Sequence, residues 1–292
     1  MTSFSIAAIL RSPIYSPNHI GADAQILMAV CARLRKRGCE VSVFTEAELQ
    51  DHKADSYEII LSMARERASI ELLRQLEDAG TLVINSPYGI SNCKRGIMAP
   101  LLTNAEVNYV DSFTATTDRL ITDDMTRASM TRCWIKRADF HSQHKEDITF
   151  ARDQREAQRV LQEYFLRGIR TAVVERHIDG NLIKFYGVRS TDFFRYYYPA
   201  GVDAKDENLP PVYGFSTEEL RRNASRAADT LGVDIYGGDC IVDPSGRLTI
   251  INFNDWPSFS TCTDEAARAI ASMALDRIKI KYNIRKRIRQ LQ

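Results

Sequence analysis

Short apolar runs alternate with stretches of helical periodicity through residue 84, a pattern that closes as a parallel sheet covered by helices. Residues 4–10 (Phe-Ser-Ile-Ala-Ala-Ile-Leu) read as a strand. Residues 22–37 set Ile26, Leu27, Val30, Cys31 and Leu34 on one helical face and end on Lys36, Arg37 and Gly38. Basic residues in the last turn with glycine just past it are helix-stop chemistry. Strands are expected at 40–44, 57–61 and 81–84, with a helix over 70–79 stopped by Gly80. No GxGxxG run is present, so this sheet carries no dinucleotide fingerprint.

Beyond residue 85 the pattern changes. A helix is expected through Ile97, Met98, Leu101 and Leu102, a strand at 132–136, a polar stretch at 138–147 and a helix at 156–165. Strands at 171–175 and 181–188 flank Asp179-Gly180 and are expected to form a hairpin or a strand-bulge-strand crossing. Residues 192–198 are rich in aromatics. A helix over 217–231 starts at Thr217 as cap and stops at Gly232; a hairpin at 235–254 and a helix from 264 onward complete the chain. The fold class is therefore α/β, passing to α+β in the C-terminal part.

A chain of 292 residues is long enough to build these parts around substantial cores. A net charge of +1 gives no field that would draw it onto nucleic acid or an anionic membrane. The basic C-terminal residues Arg277, Lys279, Lys281, Arg285, Lys286, Arg287 and Arg289 fit a solvated helix face. Cysteines 31, 39, 93, 133, 240 and 262 show neither CxxC pairing nor metal-ligand spacing, as in a reducing compartment. The first residues lack a signal-peptide pattern, and no apolar run reaches membrane-span length, so a cytoplasmic location is expected.

The chemistry concentrates in residues 237–255. Asp239 heads one strand, and Asn252 and Asn254 lie two apart on the next, so both amides leave the same face. The Asp243-Pro-Ser-Gly246 turn folds the strands together. Three oxygen donors on adjacent strands suit a hard cation holding phosphates better than zinc or iron. A surface hairpin with a polar wet face is the alternative. Lys94 opens a helix, Lys136 ends a strand and Lys184 lies within Leu182-Ile-Lys-Phe-Tyr186, where each ammonium either meets an anion or reaches out to water.

The strand Val173-Val174-Glu175-Arg176-His177-Ile178 turns abruptly polar, as a strand end presenting backbone groups and a carboxylate to an adenine would. Arg189 and Arg195 are candidates for gripping an anionic substrate. His141, His144 and His177 fit no zinc spacing, and GxSxG, HExxH and Walker patterns are missing from the sequence.

In this order, the parts resemble the ATP-grasp superfamily, in the branch of RimK-like carboxylate–amine ligases and inositol trisphosphate 5/6-kinases. Its fold would place a Rossmann-like domain at 1–88 before a central ATP-grasp subdomain at 89–174 and a C-terminal one with the metal hairpin at 175–292. Asn85 to Asn92-Cys93-Lys94 resembles the loop and first phosphate lysine, and Cys133-Trp-Ile-Lys136 the strand bearing the second. Val174, Glu175, Arg176 and His177 resemble the adenine hinge, with Asn181 beyond it as a further nucleotide contact. Asp239, Asn252 and Asn254 match the magnesium-ligand positions, and Lys184 is closer to the kinase branch.

The resemblance implies ATP and Mg²⁺ (or Mn²⁺) as cofactors, with Lys184, Arg189 and Arg195 as catalytic candidates. It implies a ligase acting through an acylphosphate on an anionic small molecule, with a small-molecule kinase or a nucleotide-binding module of degenerate catalysis as alternatives. Neither nucleic acid nor a membrane is expected as partner, and a homodimer is compatible with the sequence. Two departures stand out. Asn252 occupies the place of the glutamate in the ligase pattern Glu-x-Asn-Pro, with the neighbouring Asp255 as a candidate compensating charge. The loop Phe140-His-Ser-Gln-His144 has side chains where the family often has glycines.

Overall fold

Strand β1 (Ser5–Ile9) sends Ile6 and Ala8 to one side of a sheet and Ala7 and Ile9 to the other, and each pair enters a separate apolar cluster. A strand buried on both faces reads as a continuous apolar run, which is why the N-terminal segment is apolar rather than alternating. The computed structural model describes residues 4–16, 20–51, 56–138, 145–199 and 212–291. Helix α1 (Ile20–Lys36) leads to β2 (Glu40–Phe44), α2 (Glu46–Asp51), β3 (Ile59–Ser62), α3 (Arg67–Asp78) and β4 (Leu82–Ile84). These strands form a parallel sheet in the order β2-β1-β3-β4.

Helices α4 (Pro87–Asn92) and α5 (Arg95–Asn104) follow, then β5 (Ser112–Thr116), α6 (Thr122–Arg127), β6 (Cys133–Arg137), β7 (Ile148–Ala151), α7 (Gln154–Leu166) and β8 (Thr171–Arg176). The second sheet is antiparallel, in the order β5-β8-β6-β7. Its Cys133, Ile135, Ala172 and Val174 pack with Ala157, Leu161 and Tyr164 of α7. Trp134, Lys136 and Glu175, at the alternate positions, line a cavity instead.

The third sheet comprises β9 (Asn181–Val188), β10 (Phe194–Tyr197), β11 (Ile235–Val242) and β12 (Leu248–Asp255), in the order β10-β9-β11-β12. Helix α8 (Thr217–Leu231) covers one face through Leu220, Ala224, Ala227 and Leu231, which cluster with Ile183, Phe185 and Cys240. Helix α9 (Thr263–Leu291) closes the chain. Among the described residues, no helix is long and apolar enough to cross a membrane.

Two expectations change. Strands β8 and β9 do not form a hairpin: β8 lies between β5 and β6, whereas β9 lies between β10 and β11, so Asp179-Gly180 joins two sheets. The cap of α8 is Ser216, whose hydroxyl accepts from the Glu219 amide, and not Thr217. Packing also crosses the expected divisions. Met98 and Leu102 of α5 share a cluster with β9 and α8, while Ile270, Ala274 and Ile278 of α9 share one with Ile6 and Ile26.

Candidate functional site

The uncovered faces of the two antiparallel sheets enclose a cavity of about 440 Å³. Ile148, Leu182, Ile241 and Ile251 give it apolar walls, and its polar groups lie at defined points. Lys136, buried, forms an ion pair with Glu175 and donates to the Ile251 carbonyl at 3.2 Å. Burial raises the Glu175 carboxyl above its ordinary range, against the opposing charges of Lys136 and Arg95. Glu175 Oε1 is buried and has no hydrogen-bond partner among the described residues. A buried acceptor left unmatched costs free energy, so it favours a ligand that brings a donor.

The hairpin supplies the far end. Asp239 pairs in register with Asn252 and Gly237 with Asn254, and a register shift after Asp239 makes Ile251 the extra residue of a β-bulge. Such bulges re-aim side chains beside sites. Asn252 Nδ2 donates to Asp239 Oδ2 at 3.2 Å, and the Lys184 ammonium lies 2.7 Å from Asp239 Oδ1. Gly238 is needed here, because a Cβ would lie 2.5 Å from the Asn252 carbonyl oxygen.

The structure brings Lys136, Glu175, Asp239 and Asn252 around one cavity, with Arg176 and His177 on its lining. Asn254 lines an adjoining cavity with Lys184 and Asp239. Lys94 is exposed at the start of α5 and faces another neighbouring cavity, while the next residue, Arg95, turns into the first. Val174 points into the α7 core, as its position in the strand alternation requires. The Arg176 guanidinium is engaged by Asp111 and the carbonyls of Ala128 and Ser129. The amides of Arg176 and His177 donate to Asp111 O and Arg132 O, so neither is left for a purine edge.

His177 Nδ1 accepts from Trp134 Nε1 at 3.1 Å and Nε2 lies 3.1 Å from Asp179, a carboxylate also held by Arg132. Buried Asn181 accepts from the Tyr213 amide at 2.7 Å and does not line the cavity. Arg189 pairs with Asp229 at 2.8 Å and Asp234 at 3.7 Å and lines a separate pocket. Arg195 pairs with Glu265 at 2.6 Å. His141 and His144, with the rest of the 140–144 loop, lie outside the described residues. Asp255 is fully buried and pairs with Arg65 at 2.6 Å, so its charge is already matched, although it lines the same cavity as Asn254.

Arg11, Arg65 and Arg95 were not singled out by the sequence patterns. Arg11 follows β1 and pairs with Asp23 at 2.8 Å while donating to the Trp256 carbonyl at 2.9 Å. Arg65 follows the apolar segment of β3 and reaches Asp255. Their signal was position: a cation immediately beyond an apolar parallel strand stands at the carboxyl edge, where such sheets bind ligands.

The donor set fits a hard cation in one respect and resists it in another. Asp239 with two amides offers oxygen only, and magnesium is commonly held by one or two carboxylates plus phosphate oxygens. Its single carboxylate is already paired with Lys184, so phosphates must supply most of the negative charge. The cavity between the sheets fits an adenine nucleotide: apolar walls for a purine, the unmatched Glu175 oxygen for an amino donor, and Lys136 and Arg95 for phosphates.

No family model matches the chain, and no curated protein sequence matches it. Solved structures do. The D-alanine–D-alanine ligase of Coxiella burnetii is 12% identical and aligns over 99% of this chain and 100% of its own, with a TM-score of 0.69. The corresponding ligase of Bacillus anthracis, solved with ATP, is 15% identical over 96% of this chain and 100% of its own, with a TM-score of 0.67. A RimK domain ATP-grasp protein of Sphaerobacter thermophilus is 16% identical over 92% and 99%, with a TM-score of 0.64. With two antiparallel sheets enclosing a cavity behind an N-terminal parallel sheet, the chain has the ATP-grasp fold.

Proposed function

We propose that the chain is an ATP-dependent carboxylate–amine ligase. The carrying observation is the cavity that places Lys136 and Glu175 opposite Asp239 and Asn252. On this reading the purine lies between Ile148, Leu182 and Ile241, with its amino group toward Glu175 Oε1. Lys136, Arg95 and Lys184 offset charge on the phosphates as the γ-phosphoryl group is transferred. A bound Mg²⁺ or Mn²⁺, held by Asp239 with the amide oxygens of Asn252 and Asn254, would supply further neutralisation of those oxygens.

The substrate carboxylate attacks the γ-phosphorus and ADP departs. An amine then attacks the acyl carbon, inorganic phosphate departs, and the amine proton passes to solvent. This chain's part is to hold the two reactants in line and exclude water. The Lys184–Asp239 pair favours a second reading, nucleotide binding without turnover, because it neutralises the one carboxylate of the donor set. Calorimetry with Mg-ATP, followed by a mass-spectrometric screen of acids and amines for ATP-dependent condensation, separates the two. Binding with release of inorganic phosphate and an amide product supports the ligase. Binding without turnover across the panel supports the second reading, and failure to bind ATP removes both. A phosphorylated acceptor would instead identify a kinase.

A further inference from the structure

We infer that the acceptor acid carries two or more anionic groups and occupies a cavity of about 430 Å³ beside the nucleotide cavity, an inference that rests on the nucleotide reading above. The two cavities share Arg95 and Asn252 as lining residues, so a group held in the second reaches the phosphate end of the first. Arg65, Arg67, Arg74, Lys94 and Arg95 line this cavity, and Glu71 is the one acidic residue doing so. Arg65 is held by Asp255, and Arg74 by Glu71 at 3.7 Å and Ser91 at 2.7 Å. Arg67 and Lys94 are exposed and have no ion-pair partner among the described residues.

Arg67 begins α3, whose N-terminus already has the carboxylates of its cap Glu66 and of Glu46, which accepts from the Arg65 and Glu66 amides at 2.9 and 2.7 Å. Lys94 is the N-terminal cap of α5, which has no acidic residue in its first turn, and a helix N-terminus disfavours a cation, so that end of the cavity favours an anion. The cavity on the other side of Arg65 is balanced by contrast: Arg11 meets Asp23, Arg65 meets Asp255 and Lys184 meets Asp239. Of the two cavities adjoining the phosphate end, one is neutral in sum, and the other keeps the unmatched charges of Arg67 and Lys94 beyond those already paired or assigned to the phosphates. A monocarboxylate leaves the basic one undercompensated, whereas a di- or tricarboxylate, or a phosphorylated acid, matches it.

The test titrates butyrate, glutarate and propane-1,2,3-tricarboxylate into the full chain by calorimetry, with and without saturating Mg²⁺ and the β,γ-imido analogue of ATP. Affinity should rise at each added carboxylate, and the tricarboxylate should bind alongside the analogue. Arg67→Ala, at an exposed position, should weaken the tricarboxylate about tenfold while leaving the analogue's Kd unchanged. Equal affinity for the three acids overturns the inference. So does displacement of the tricarboxylate by the analogue, or loss of analogue affinity in Arg67→Ala, since either would make the cavity part of the triphosphate site. If the analogue itself fails to bind, the nucleotide reading falls, and the ranking of the acids measured without it still decides the charge preference of the cavity.

Discussion

The Lys184 ammonium lies 2.7 Å from Asp239 Oδ1, so the one carboxylate of the hairpin donor set already carries a cation. The two residues are direct cross-strand partners on β9 and β11, which makes the pair a consequence of sheet register rather than of a flexible surface contact. An incoming metal must share or displace that ammonium. In Lys184→Met, Mg²⁺ binding without nucleotide should strengthen by about tenfold, while ATP turnover falls at least about a hundredfold because a charge facing the phosphates is lost. Magnesium titration calorimetry and ADP release measure the two effects. Unchanged Mg²⁺ affinity would show that the pair does not control the site.

Restoring a charge at the middle donor should act in the same direction by a different route. Asn252 donates its amide to Asp239, an interaction that glutamate cannot make. Asn252→Glu should lower the Mg²⁺ concentration for half-maximal ATP binding by about tenfold, since a second carboxylate is worth more to a hard cation than an amide oxygen. No change would mean that the hairpin does not touch the metal.

Asp255 has a different role from its neighbours on β12. It is fully buried and paired with Arg65, whose side chain is also nearly enclosed. Asp255→Asn should leave Mg²⁺ affinity unchanged and destabilise the fold by about 3–5 kcal/mol, because it strands a buried guanidinium. Urea unfolding of the variant, alongside a Mg²⁺ titration, checks both halves.

Glu175 gives a pH signature. Burial raises its carboxyl above the ordinary value of 4.5, so the native chain holds that proton to higher pH than the unfolded chain does. Its contribution to stability is therefore largest at low pH and is lost as pH rises from about 4.5 through the folded value. Glu175→Gln, which cannot ionise, should flatten that part of the stability profile. In the wild type, preference for ATP over GTP should fall on acidification, since protonated Oε1 no longer accepts from the purine amino group. A preference that is the same across this window, or that survives Glu175→Ala intact, would remove Glu175 from purine recognition.

Much of this architecture was legible in the residues. The apolar runs of β1 and β3 are buried on both sheet faces and so read as strands without tertiary information. Asp243 to Gly246 made the late hairpin plain, since Asp243 Oδ1 accepts from the amides of Ser245 and Arg247 within the turn. Helices α2, α4 and α6 escaped notice because each has only 6 residues, too few to establish a helical period. The division of β8 from β9 was hidden for another reason: local pattern shows where a chain turns, not which sheet it enters. Arg65 acquires its meaning only through Asp255, 190 residues further on. Arg95 was passed over for Lys94 because the two are adjacent, and only the start of α5 determines which side chain enters the nucleotide cavity.

A crystal structure of the chain with Mg²⁺ and the β,γ-imido analogue of ATP decides where the nucleotide lies. The purine should sit between the two antiparallel sheets with its amino group at Glu175, and the triphosphate should run from Lys136 toward Asp239 and Asn252. A nucleotide bound elsewhere, or a triphosphate directed away from the hairpin, would contradict this placement.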